Sequence, residues 1–328
     1  MNAPIAQHLG RLWQIHAPLT LFALLTAAAT VFFATGIFLD DRVITGMPAW
    51  LKPTKFGISI TVYCLTLTWM LGFIRGRRRL VGILAWTTII MFLIEWAVVL
   101  TQVVRGTTSH FNVATPLDAA MWSAMAIGII VIWIATLIVA ILLLFQRVES
   151  PSFAWSLRIG LLLTLVGMAE GFLMTSPTAQ QLAGIEASEL VTIVGAHSVG
   201  VEDGGAGLPL VGWSTEGGDL RIAHFVGLHA LQVMPFLGWL LSRSRRLSEP
   251  RRTGLVWTAG GSYLGLIALL TWQALRAQPL LSPDTLTLAG LAGLAALTLL
   301  SVAATLLLTR APTSPTAGSA NQTTKEEP

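Results

Sequence analysis

Imidazole changes charge near neutral pH and is the commonest side-chain ligand of transition metals. This chain has six: His8, His16, His110, His197, His224 and His229. Two of them share one helical run, Arg221-Ile-Ala-His224-Phe-Val-Gly-Leu-His229-Ala-Leu-Gln232-Val-Met-Pro235. At 100° per residue Arg221, His224, His229 and Gln232 fall within an arc of about 140°, so the helix has one polar face. Pro235 lacks an N–H, which frees the carbonyl of Leu231 and favours a kink beside Gln232. Glu95 and Glu170 lie inside otherwise apolar runs, where ionisable groups are rare and are functional candidates by default. For each residue taken alone, a hydrogen-bonded packing role is an equal alternative.

Imidazole with carboxylate suits zinc or iron. The candidate metal set is therefore His110, His197, His224, His229, Glu95 and Glu170, supported by Gln102, Arg105, Asn112, Asp219, Arg221 and Gln232. The spacing is not diagnostic: His224 and His229 point about 140° apart, against about 40° for an i, i+4 pair. Haem is less favoured, because a second histidine at the depth of His229 is lacking. The same groups could relay protons or bind an ion in a transporter, but the opposite halves of the helices carry no acid or histidine to continue the path. A scaffold that binds another membrane protein through its loops needs no chemistry at all; the leading expectation is a His/Glu polar site in the outer half of the bilayer that binds a metal, with transporter and scaffold as alternatives and the activity unassigned.

The elements that must position these residues are membrane helices. Hydrophobic residues make up 54% of the 328 and charged residues only 11%, far below the roughly 25% of soluble domains; the mean hydropathy is +0.72. Apolar runs at about 17–39, 56–74, 80–104, 117–145, 157–175, 222–241, 253–275 and 285–309 each approach the ~20 residues that cross the hydrocarbon. The expected fold is all-α, a polytopic transmembrane bundle of about eight spans. Of the 20 Lys and Arg, 14 fall in the N-terminus, the even-numbered loops and the tail, and 6 in the odd-numbered loops. This bias predicts both termini in the cytoplasm and accounts for the basic balance without nucleic acid. Cys64, the one cysteine, leaves no intrachain disulfide to hold the loops.

Residues 1–16 read as a cytoplasmic interfacial segment, residues 17–309 as the eight-span domain, and 310–328 as a disordered cytoplasmic tail. The loop at about 176–221 far exceeds the usual connection between helices, a length associated with function. It holds His197, the Glu202-Asp203 pair and many glycines. Lys52 and Lys55 sit at an outer helix end, where snorkelling to the interface is the first expectation, ahead of an anionic ligand or headgroup. No internal repeat points to an inverted-repeat transporter.

The strings Lys52-Pro-Thr-Lys55-Phe56, Gln102-Val-Val-Arg105-Gly-Thr-Thr-Ser109-His110-Phe-Asn112 and Gly218-Asp219-Leu220-Arg221 through Gln232 resemble those of uncharacterised bacterial polytopic inner-membrane proteins. The resemblance covers roughly the first six spans. It implies a multi-pass protein of the bacterial cytoplasmic membrane and brings no activity or cofactor. Burial energetics add one geometric expectation: spans three, five and six are neighbours, and at least two of Glu95, Glu170, His224 and His229 come within metal-sharing or hydrogen-bonding reach, with the long loop, including His197, folded above them as a lid.

Overall fold

A computed structural model describes residues 3–148 and 150–308; the expected disordered tail at 310–328 falls outside the described residues. In chain order these form α1 (Ala3–Leu39), β1 (Val43–Ile44), β2 (Met47–Pro48), α2 (Leu51–Leu71), α3 (Arg78–Arg105), α4 (Pro116–Leu144), α5 (Pro151–Met174), α6 (Ala179–Glu186), β3 (Ser198–Val199), β4 (Gly218–Asp219), α7 (Leu220–Ser242), α8 (Glu249–Leu275) and α9 (Thr285–Leu308). Every helix but α6 is long and apolar enough to cross a membrane, and the fold is an all-α bundle of eight candidate spans.

Several helices start earlier than their apolar runs because the caps, not hydrophobicity, set the boundary. Thr115 accepts from Asp118 N with Pro116 in the first turn of α4, and Ser150 accepts from Phe153 N ahead of Pro151 in α5. A short polar side chain at the N-cap and Pro at N1 both suit the unsatisfied amides of a first turn. In α1 the helical path is interrupted at His16 (φ −156°, ψ 91°). There the imidazole Nδ1 accepts from Leu19 N at 3.1 Å, capping the apolar helix that follows. The segment before His16 is helical, as its pattern suggests.

The packing falls into two groups. One apolar core joins α1, α2, α3 and α4 with Leu157, Leu161 and Leu165 of α5 and Leu231 of α7, and a smaller one joins α5, α7 and α8. The closest crossing is between α5 and α7, where Gly167 meets Gly227: a Cβ on Gly167 would lie 2.4 Å from the carbonyl carbon of Gly227. Small residues allow such backbone approach in membrane bundles. α4 packs against α5, α2 meets α7 only sparsely, and α9 packs on α8.

The connections gather at two ends. At one, the short loops carrying Arg75 to Arg79 and Arg243 to Arg252 are tied by Arg75 N to Gln146, Arg158 to the carbonyls of Leu143 and Gln146, and Glu249 to Ser150 and Ser152. This is the basic end. At the other, the long loop folds into a cap over the bundle. α6 opens with a capping box between Thr178 and Gln181, and Gln181 also bonds both backbone groups of Gly195. β3 pairs with β4, and Asn112 bridges to Ile193. The β1–β2 hairpin turns through Thr45 and Gly46, both at positive φ, as a two-residue hairpin turn requires. Its tip abuts Gly204 of the cap.

A capped histidine and lysine cluster

The cap brings together residues that the sequence scatters over more than 170 positions. His110 comes from the α3–α4 loop, His197 from the cap, His224 from α7 and Lys52 from α2. The His110 and His197 rings lie 6.2 Å apart. Phe56, Phe111 and Trp122 complete the wall, with Phe56 and Trp122 at 5.7 and 5.5 Å from His110 and Phe111 at 4.9 Å from His197.

Each imidazole is held through its Nδ1. His197 donates Nδ1–H to Asp203 at 2.6 Å, and the same carboxylate accepts the backbone N–H groups of His197 and Ser198. His224 donates Nδ1–H to the Gly167 carbonyl at 2.7 Å. That carbonyl sits at the glycine crossing, so the close α5–α7 approach also aims the His224 ring. His110 Nδ1 lies 3.1 Å from Ser109 Oγ. With Nδ1 engaged, each Nε2 is left to act on something else.

Lys52, Lys55 and Arg221 meet the carboxylates of Asp203 and Asp219 around the cluster. Burial is the main cause that holds His110 well below the usual histidine range, helped by Lys52 and the His197 and His224 rings. His197 is also lowered, by burial first; Asp203 opposes this, and Arg221 and Lys52 add to it. Burial pushes Asp203 upward, but the His197 side chain and two backbone amides outweigh it and hold the carboxyl well below its usual range. The electrostatic neighbours of Lys52 are Lys55, Arg221, Asp203 and Glu95. Lys52 itself makes no hydrogen bond or ion pair with the described residues, whereas Lys55 donates to the Val211 carbonyl of the cap at 3.1 Å. Lys52 lies in the first turn of α2, where the free amides already concentrate positive potential, and Lys55 follows in the second. Snorkelling to the interface is therefore corrected: the cap encloses this end of α2, and one lysine is committed to it.

The supporting polar residues hold the wall in place. Asp118, 3% exposed, accepts from Gln102, Arg105 and Thr115, closing the α3–α4 loop. Asn112 ties that loop through Thr107, Thr108 and Ala114, and Phe111 takes a left-handed backbone (φ 63°) beside His110. Asp219 caps α7 and grips Arg221, whose guanidinium also reaches the Gly212 carbonyl.

The expected convergence of Glu95, Glu170, His224 and His229 is not what the fold builds. α5 and α7 are neighbours, but α3 packs on α4, α2 and α1, so the three helices do not share one interface. His229 donates to Gln232, which donates to Thr66 of α2. Glu170 turns toward Thr271 of α8, leaving Oε2 without a partner. Only His224 of the four joins the cluster directly. Glu95 lies below it, 1% exposed, with Oε1 unpartnered against Gly128 of α4 and Lys52 as its electrostatic neighbour. Among the described residues no group of three or more His, Cys, Asp or Glu is arranged to hold a metal ion. Depth groups the four residues; facing, set by the glycine crossing and the cap, separates them.

Lys52 is the residue that sequence reasoning undervalued. Its signal is present in the sequence: a lysine pair at the start of a span, against the charge bias of that side. Comparisons with family models, curated proteins and solved structures gave no match to this chain.

Proposed function

We propose that this multi-pass membrane protein binds a small molecule through its carboxylate or phosphate group at the capped cluster, with Lys52 supplying the charge and the Nε2 atoms of His110, His197 and His224 accepting or donating a proton. The observation that carries this reading is Lys52. Lys52 lies near Lys55, Arg221 and a helix N-terminus, Asp203 and Glu95 offset these only from beyond ion-pair distance, and among the described residues it has no ion pair of its own, so a ligand anion has a free cation to meet. The aromatic wall of Phe56, Phe111 and Trp122 suits a ligand with an apolar body behind the charged group. By the positive-inside bias the cluster faces away from the cytoplasm, in keeping with a bacterial inner-membrane protein that meets an extracytoplasmic or lipid-derived ligand.

A metal-centred reading draws on a different observation. His197 and His224 have the orientation of metal ligands, Nδ1–H on a carboxylate or carbonyl and Nε2 bare. Against it stand the nearby lysines, Lys52 and Lys55, and the lack of a three-donor group among the described residues. One experiment separates the two: unfolding of the detergent-purified protein is followed with inorganic phosphate, acetate, Zn²⁺ or Fe²⁺ added, alongside metal analysis. Saturable stabilisation by phosphate or acetate that is lost in Lys52→Met supports the anion site. Stoichiometric metal with no response to either anion overturns it.

A further inference from the structure

A second site lies at the basic end, independent of the capped cluster. Below the sparse α2–α7 contact a groove of about 540 Å³ is lined by Leu65, Trp69, Phe153, Leu231, Phe236 and Trp239. At ~1.5 Å per residue, Leu231 to Trp239 lie in the half of α7 nearer the basic end. The floor is fixed: Leu231 and Pro235 are buried, and Pro235 packs on Gly160 of α5. The rim is open, with Phe236 60% and Trp239 41% exposed and stacked 5.5 Å apart. At the mouth the Arg243 guanidinium lies 3.9 Å over the Trp239 ring. Arg243, Arg245 and Arg246 have no acidic partner within 4 Å among the described residues.

An apolar, aromatic groove at hydrocarbon depth, closed by an unpaired guanidinium at headgroup depth, has the polarity profile of one anionic phospholipid. We propose that it is a binding site for an anionic phospholipid, with one acyl chain along Trp69, Phe153 and Leu231 and the phosphate at Arg243. Arginine suits the phosphate because its fork of donors matches the oxygens, and its flat face remains on Trp239 while it does so. Charge complementarity sets the occupant: a zwitterionic lipid would fill the groove equally but leave the arginines without net compensation. The exposed face of α9, where Leu297, Leu299 and Leu300 point outward, has the same hydrocarbon contact with no cation in the helix itself and supplies the internal control.

The test is the unfolding temperature of the full chain in detergent, with phosphatidylglycerol or phosphatidylcholine added. The expected result is a saturable rise with phosphatidylglycerol that exceeds the rise with phosphatidylcholine. Arg243→Gln should remove the difference between the lipids, and Leu65→Trp, which fills the groove, should reduce the response to both; Leu299→Trp on α9 should leave it intact. Equal responses of the unsubstituted protein to the two lipids, or an undiminished phosphatidylglycerol response in Arg243→Gln, would overturn the proposal. Should Leu65→Trp fail to fold, the Arg243→Gln comparison decides alone. Loss of the Lys52-dependent anion response leaves this outcome untouched, so the two sites fail separately.

Discussion

At the scale of single residues, the cluster stores a dependence on pH. His110 and His197 are held below their ordinary value of 6.5, so the folded protein favours their neutral forms. The unfolded chain then binds more protons than the folded one below pH 6.5, and stability falls as pH falls through that window. Asp203 is depressed as well, so its contribution persists above its ordinary value of 3.8 and is lost only in stronger acid. Unfolding temperature should therefore decline from about pH 6.5 downward, and His110→Gln should flatten the first part of that decline. A profile that rises on acidification toward pH 5 would mean that these rings fold as cations. Glu95 adds a second prediction at this scale. Its carboxyl is buried without a hydrogen bond, so Glu95→Gln, which keeps shape and removes charge, should cost little stability, within about 1 kcal/mol. A larger loss, measured in the same unfolding assay, would show that Glu95 is held as an anion by Lys52.

At the scale of elements, the glycine crossing positions His224. Gly167 and Gly227 touch backbone to backbone, and the Gly167 carbonyl is the acceptor for the imidazole. Gly167→Ala should force α5 and α7 apart at a cost of about 1–3 kcal/mol and weaken ligand binding. Gly171→Ala, whose Cβ would meet only the His224 ring at 3.7 Å, should be nearly neutral. Equal effects of the two substitutions would remove the crossing from the account. The existence and number of the helices were legible in the sequence, since apolar runs of 20 residues have few other uses. Their starts were less so, because Ser150, Thr115 and their following prolines extend helices past the apolar stretch. The site was legible in part. The histidines and Asp219-Arg221 were visible as unusual residues, and the long loop as an unusual length. Which of them meet depends on rotation of helices about their axes and on a loop that folds back 60 or more positions from His110. Hydropathy carries no information on either, and so His229 and Glu170 were grouped with a cluster they do not join.

At the scale of the whole molecule, eight candidate spans put the cap and the arginine-rich loops at opposite ends of one bundle. Reporter fusions after Arg79 and Arg252 should both read cytoplasmic, and fusions after Asn112 and Gly205 should both read external. Signals from Arg79 and Gly205 on the same side would contradict the spans themselves, whereas a full reversal would only turn the cluster toward the cytoplasm. Different elements contribute to the cluster: Lys52 comes from α2, His110 from the α3–α4 loop and His224 from α7, which α2 meets only sparsely. A ligand held there bridges these elements, and its affinity should depend jointly on them. The most direct measurement is calorimetric titration of inorganic phosphate into the detergent-purified protein and into Lys52→Met, His224→Gln and the double variant. Each single substitution should weaken binding about tenfold or more, and the double variant should lose less than the product of the two, because both act on one ligand. Phosphate binding that is unchanged by Lys52→Met would contradict the central claim.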